Sequence, residues 1–388
     1  MRSIIGNVRY VGRAGNRGMH SLLRAALASA VVALTLWLTF STSYMAKHES
    51  YDVMVAAAEK MIEATAAVKA HRLALGIRVS PDDVNATGLI GEELTDITTT
   101  PGNLTSKRTA TNPDFAALTV KYFHELGITN GDKVAVGASG SFPGIVLAVL
   151  SACWTTGVEP VVIPSIGASE YGANVPGVTS VEMIDALRAA GVFDYVPAMI
   201  SLGGPEDSGE AGILTDGRPV ILDIAQRSGH PLLLPADTVE SIRRRLAVYE
   251  AAGDMKAFIN VGGAEPNYGS TLASLEFPNG LVTKPPVKID TPDMGLVYEF
   301  INRGIPVLHF LDIKGLATKS GIPIDPVPLP QPGTSLVYYE RRYQKAYAAA
   351  GLVLALGVLL VPLGPLGLGR EQRQGQGRVR GRGRERRR

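Results

Sequence analysis

Residues 133–164 read KVAVGASGSFPGIVLAVLSACWTTGVEPVVIP, and the order of their parts decides the fold. A short apolar run, 134–136, ends in a loop of small residues, Gly137-Ala138-Ser139-Gly140-Ser141-Phe142-Pro143-Gly144. Residues 144–156 carry no charge and predict a helix buried on most of its surface, ended by Gly157. A second strand-like run, 160–163, follows. Strand, Gly/Ser turn, helix and strand make a βαβ unit. In open α/β sheets the loop at the carboxyl end of such a strand is where ligands bind.

The same alternation continues outward. Asn112 or Pro113 starts a helix through Ala116, Ala117, Val120, Phe123 and Leu126, ended by Gly127. Ser180 with Glu182 opens a helix to Ala190, and a strand is expected over 196–202. A helix at 217–228, a short strand at 232–234 and a helix from Asp237 to Ala252 come next. A strand at 257–261, a Pro-rich loop, a helix over 293–303 and a strand at 306–310 complete the series. This predicts an α/β domain over residues 113–320, doubly wound, with a mainly parallel sheet and helices on both faces. Residues 45–70 predict a helix continuing from the first apolar segment and packing through Tyr51, Met54, Val55, Ala58, Met61, Ile62 and Ala66. Residues 72–112 have loop chemistry, so 45–112 reads as a helical stalk and an irregular segment that wraps the domain or covers its site. Residues 321–345 form a Pro-rich connector.

The net charge of +2 conceals an asymmetry. Five Arg and no acid occupy residues 1–24, and nine Arg with two Glu occupy 370–388, leaving 24 basic and 34 acidic residues between them. Basic ends around an acidic centre point to compartments and not to nucleic-acid binding. Residues 25–44 and 346–368 are apolar enough to be membrane helices, and a cleaved signal peptide is the alternative for the first. The positive-inside rule then places the basic tails 1–24 and 369–388 in the cytoplasm and residues 45–345 outside. Cys153 is the single cysteine, which excludes an intrachain disulfide and a thiolate cluster, and its apolar surroundings predict a buried, inert thiol.

Four small-residue loops follow four expected strands, at 137–144, 165–174, 203–210 and 262–270. In a parallel sheet they meet along one edge. The candidate ligand-binding residues there are Gly137, Ser139, Gly140, Ser141, Ser169, Glu170, Asn174, Glu206, Glu265 and Asn267; the alternative is that the glycines only permit tight turns. Ser139 has the context of a nucleophile elbow, although Ser141 stands where G-x-S-x-G has its last glycine. His230, or His309 with Asp312, are the candidate triad partners. The competing reading is that backbone N–H groups at the 140–144 helix start bind an anion such as a carboxylate. No P-loop or complete G-x-G-x-x-G is present, the six His show no ligand spacing, and neither cofactor nor metal is expected. Arg243-Arg244-Arg245 reads as a solvated face, with polyanion binding as the alternative.

The chain resembles the poly-γ-glutamate system proteins found with bacterial poly-γ-glutamate synthesis. The resemblance covers most of residues 25–330. It rests on the N-terminal anchor, on KYFHELGITNGDKVAVGASGSFPGIVLAVLSACWTTGVEPVVIPSIGASEYGAN (121–174) and on FINVGGAEPNYG (258–269). It implies an accessory membrane protein working beside the ligase and membrane subunits that make and export the polymer. It carries no catalytic residue onto this chain. Three roles follow as expectations: an outer cleft that holds polymer, an extracytoplasmic hydrolase or transferase with Ser139 as nucleophile, or an assembly factor using the helix at 51–66.

Overall fold

The computed structural model describes residues 8–212 and 216–360 of the 388. The chain divides into two compact units, Met1–Met45 with Arg341–Arg388, and Ala46–Glu340. In the first, α1 (Val8–Ser41) contains a 21-residue apolar stretch, Ser21–Ser41. At 1.5 Å per residue that is about 31 Å, enough to cross a bilayer. The last described helix, α12 (Lys345–Leu360), packs on α1, and Gly351 there lies so close to Thr35 that a Cβ would collide with its side chain. The 16 described residues of α12 span about 24 Å and fall short of a full crossing. The rest of the expected second span, 361–368, lies outside the described residues.

The expected continuous helix from the first apolar segment through residue 70 is interrupted. The Thr42 hydroxyl bonds back to the Leu38 carbonyl, and the chain then extends as β1 (Tyr44–Lys47), which pairs with β9 (Tyr339–Arg342). Ser and Thr hydroxyls compete for helical carbonyls in this way at helix ends. α2 (Tyr51–Ala74) then starts afresh and buries Met54, Ala57, Ala58, Met61, Ala64 and Val68 in the domain core, while Ile62 and Ala66, expected inside, are exposed. Its Ala-rich sequence gives several faces nearly equal hydrophobicity, so the pattern alone does not choose between them.

The irregular segment holds one short helix, α3 (Leu104–Ala110), and α4 (Asp114–Leu126) follows. The βαβ unit forms as β2 (Lys133–Ala138), α5 (Pro143–Thr156) and β3 (Glu159–Pro164). Then come α6 (Ser180–Ala189), β4 (Ile200–Ser201), α7 (Arg218–Ser228), β5 (Leu232–Leu233), α8 (Thr238–Ala252) and β6 (Met255–Val261). The series ends with α9 (Glu265–Tyr268), β7 (Gly280–Val282), α10 (Leu296–Asn302), β8 (Val307–Phe310) and α11 (Ile313–Ser320). The expected strand at 196–202 shrinks to β4, because Pro197 has no N–H to donate and Val196 faces solvent.

The central sheet has the order β3-β2-β6-β8-β7, parallel except for the edge strand β7, which runs antiparallel within the Pro-rich loop. β4 and β5 pair in parallel, and the bridge Ser165↔Ser201 joins them to the β3 side. Alternate strand residues enter different cores. Val134, Val136 and Ala138 pack with α2, α4 and α5, whereas Ala135 and Phe258 pack with α8 and α10. Helices therefore cover both faces, as the near-continuous apolar strands require.

Candidate functional site at the sheet reversal

The connection from β2 through α5 lays β3 on one side of β2. The connection from β5 through α8 returns the chain to the other side as β6. The winding direction reverses between β2 and β6, and in such sheets the carboxyl ends at the reversal open a ligand crevice. The register sets this edge. Ala138 pairs with Pro164 and with Val261, and Val261 pairs with Phe310. All four small-residue loops leave the strands on this side.

Ser139 continues β2 by donating its N–H to the Val261 carbonyl at 2.9 Å. Its hydroxyl accepts the Ser141 N–H at 3.2 Å, and no His or carboxylate side chain bonds it among the described residues. His309 does not complete a triad. Its Nδ1 takes the Asn260 amide at 2.9 Å, its ring meets Phe277 edge-on, and burial pushes its pKa down to about 4. Asp312 caps α11 by accepting the Gly315 N–H, and His230 pairs with Asp185 at 3.0 Å. Two of the loop N–H groups offered for an anion are engaged: Gly140 donates to the Ser165 hydroxyl and Ser141 to Ser139. Gly144 serves packing, since a Cβ there would strike the Ala110 carbonyl of α3.

That approach of α3 to α5 brings in a residue the sequence did not single out. Lys107 is 4 % exposed and sends its Nζ to the Ser169 hydroxyl at 2.6 Å, to the Ser141 carbonyl, and over the Phe142 ring at 4.3 Å. Burial pushes its pKa down to about 7, against the weaker opposing pull of Glu170. The Ser169 N–H returns to the Ser141 hydroxyl at 3.1 Å, which closes a ring of polar contacts between the two loops. A seven-residue helix, LTSKRTA, offers too little periodicity to reveal which of Lys107 and Arg108 turns inward. Arg108 faces the other way and pairs with Asp325 at 2.6 Å.

The remaining candidates divide by their partners. The Asn174 amide holds the irregular segment, bonding Glu92 at both backbone groups and the Thr98 hydroxyl, so it is spent on structure. Glu170 accepts the Gly102 N–H at 2.8 Å. Glu206, exposed and in a left-handed conformation at φ 52°, donates its N–H to Glu265 Oε2, whose Oε1 takes the Thr238 hydroxyl. The reading of 243–245 as a solvated face fails at Arg245, which is 1 % exposed and bonds Asp207 Oδ2 at 2.7 Å. Position 245 lies one turn beyond the buried Ser241, on the inner face of α8, whereas Arg243 and Arg244 look outward.

Asn267 is different. It is fully buried in α9, its amide lies against Gly137, and neither its Oδ1 nor its Nδ2 has a partner among the described residues. A side chain on Gly137 would occupy the same space, with its Cβ 2.5 Å from Asn267 Nδ2. Among the described residues no group of three or more His, Cys, Asp or Glu is placed to hold a metal ion. Cys153 is buried and its thiol pKa is raised by burial, so it is not a nucleophile. No family model, no curated protein and no solved structure matches this chain.

Proposed function

We propose that this protein is a membrane-anchored accessory component of poly-γ-glutamate synthesis and export. In this reading its α/β domain is extracytoplasmic and binds polymer, or the ligase and membrane subunits that make it, at the β2/β6 reversal. The sequence resemblance supports the polymer and its partners, and the apolar stretch of α1 supports the anchor. The observation that carries the site is Asn267, a buried amide without a partner among the described residues, at the edge where the winding reverses. Poly-γ-glutamate repeats an amide and a carboxylate along its length. A side chain with one donor group and one acceptor complements both. Ser139 as nucleophile has no comparable support, because no base bonds its hydroxyl among the described residues.

Asn267→Leu tests the site. An orphaned buried amide costs about 1–3 kcal/mol, so an apolar residue of similar size is expected to leave stability unchanged or raise it. Affinity of the full chain, in detergent micelles, for poly-γ-glutamate is expected to fall by about tenfold, corresponding to roughly 1.4 kcal/mol. Unchanged affinity in a variant at least as stable as the wild type would sink the assignment.

The proposed topology has two spans with both termini cytoplasmic. A fluorescent reporter that matures only in the cytoplasm is expected to be active when fused to either terminus. A reporter active only outside is expected to work when inserted in the exposed loop at Lys284. Activity of the outside reporter at the C-terminus would reject the second span.

A further inference from the structure

We infer that Lys107 and Ser169 form a general-base and nucleophile pair that transfers acyl groups from amides or esters. The inference does not depend on the polymer reading, since it rests on four groups at the carboxyl edge. Lys107 Nζ stands 2.6 Å from Ser169 Oγ, within the range that proton transfer needs. The Ser141 carbonyl and the Phe142 ring orient the amine from two further sides. The Ser141 hydroxyl accepts the Ser169 N–H and keeps its own proton to donate to a developing oxyanion. Ser139 and Ser165, the other hydroxyls here, meet backbone groups and, among the described residues, no base.

The surrounding chain places the pair. Residues 98–102 run along the loop that carries Ser169, with Thr99 N–H on the Ala168 carbonyl, Glu170 N–H on the Thr100 carbonyl and Gly102 N–H on Glu170 Oε2. α3 starts two residues later and turns Lys107 inward. Half-buried Ser141 and Glu170 form the surface beside the pair. Among the described residues the titratable group facing Lys107 is Glu170, whose pull is weaker than the effect of burial, so a substantial fraction of the amine is neutral near pH 7. A neutral lysine is the base that a serine hydroxyl requires.

The chemistry balances as follows. Ser169 Oγ bonds to the acyl carbon while its proton passes to Lys107 Nζ, giving an ammonium and a tetrahedral oxyanion. Collapse breaks the bond to the leaving amine or alcohol, which takes the proton back from Lys107. Water, or an acceptor amine, then attacks the acyl-serine; Lys107 again takes the attacking proton and returns it to Ser169 Oγ.

A fluorophosphonate probe, which phosphonylates base-activated serines, tests this on the full chain in detergent micelles, with the labelled peptide located by mass spectrometry. Label is expected on Ser169, with a rate that rises through about pH 7. Ser169→Ala and Lys107→Met are each expected to abolish it, with thermal melting reporting whether each variant is folded. Should Lys107→Met fail to fold, the site and pH profile of the wild-type label still decide. No label at Ser169 in the wild type, a rate flat between roughly pH 6 and 9, or wild-type labelling of folded Lys107→Met would each overturn the pair.

Discussion

Replacing Arg245 with Met is expected to destabilise the Ala46–Glu340 unit by about 3–5 kcal/mol, the cost of leaving one partner of a buried ion pair uncompensated. Arg245 and Asp207 are each 1 % exposed. The guanidinium also bonds the Ser201 and Ser241 hydroxyls, and Asp207 takes Ser241 on one oxygen and the Gly203 N–H on the other. These contacts hold Asp207 in the left-handed region at φ 60°, next to Glu206 at φ 52°. A neutral asparagine at 207 recovers part of the loss. In Asp207→Asn with Arg245→Met the charge left alone by the single variant is gone, so the double is expected to be more stable than the sum of the singles by about 1–3 kcal/mol. Denaturant midpoints at constant slope measure all three. Additivity would show that the pair carries no coupling.

The sign of the pH dependence follows from Asp207. Burial pushes its pKa up, but the Arg245 guanidinium and the Ser241 and Ser201 hydroxyls more than offset this and hold it below the usual carboxylate value. Its contribution is therefore present above about pH 4, where the unfolded carboxylate ionises, and is lost as pH falls through the lower folded value. Functionally the pair sets the 203–210 loop, whose Glu206 N–H reaches Glu265 beside the reversal. Arg245→Met is thus expected to disturb that loop as well as stability.

Phe258→Ala is the second large loss, expected at about 3–5 kcal/mol. Phe258 belongs to β6, flanked by β2 and β8, so the backbone around it has no room to collapse. Its ring stacks on Phe300 at 4.8 Å and 4°, and the Tyr249 ring meets it edge-on at 6.1 Å. Truncation removes the apolar contacts and leaves a cavity between the sheet and the helices α8 and α10. Losing the stacked pair adds about 0.5–1.5 kcal/mol to the transfer cost. Phe258→Leu keeps most of the volume and is expected to cost under about 1.5 kcal/mol. Equal losses for the two variants, read from denaturant midpoints, would mean that ring stacking and not volume dominates.

Local chemistry made much of this fold legible. The uncharged run of α5 between two short apolar strands reads as a βαβ unit, because a helix without charge has to be covered on most of its surface, and α2, α4 and the sheet cover it. Gly127 and Gly157 end α4 and α5 in left-handed conformations, and α6 starts where expected, although the cap that pairs with Glu182 is Thr179 and not Ser180. These signals sit within a few residues of what they control. The antiparallel edge strand β7 was hidden, and the length of β4 overestimated, for the opposite reason. Their few hydrogen bonds are set by neighbours distant in sequence and not by their own pattern.

The opening stretch, 133–164, by itself determined the βαβ unit and pointed to the loop after β2 as the place to look. Only the tertiary structure decided which side chains act there. It turned Lys107 inward and Arg108 outward, buried Arg245 while its two neighbours face water, and gave a basic partner to Ser169 instead of Ser139. The reason is physical. Hydrophobic periodicity encodes which faces leave water, but the burial and pairing of a charged side chain depend on what the other half of the fold brings within about 3 Å of it.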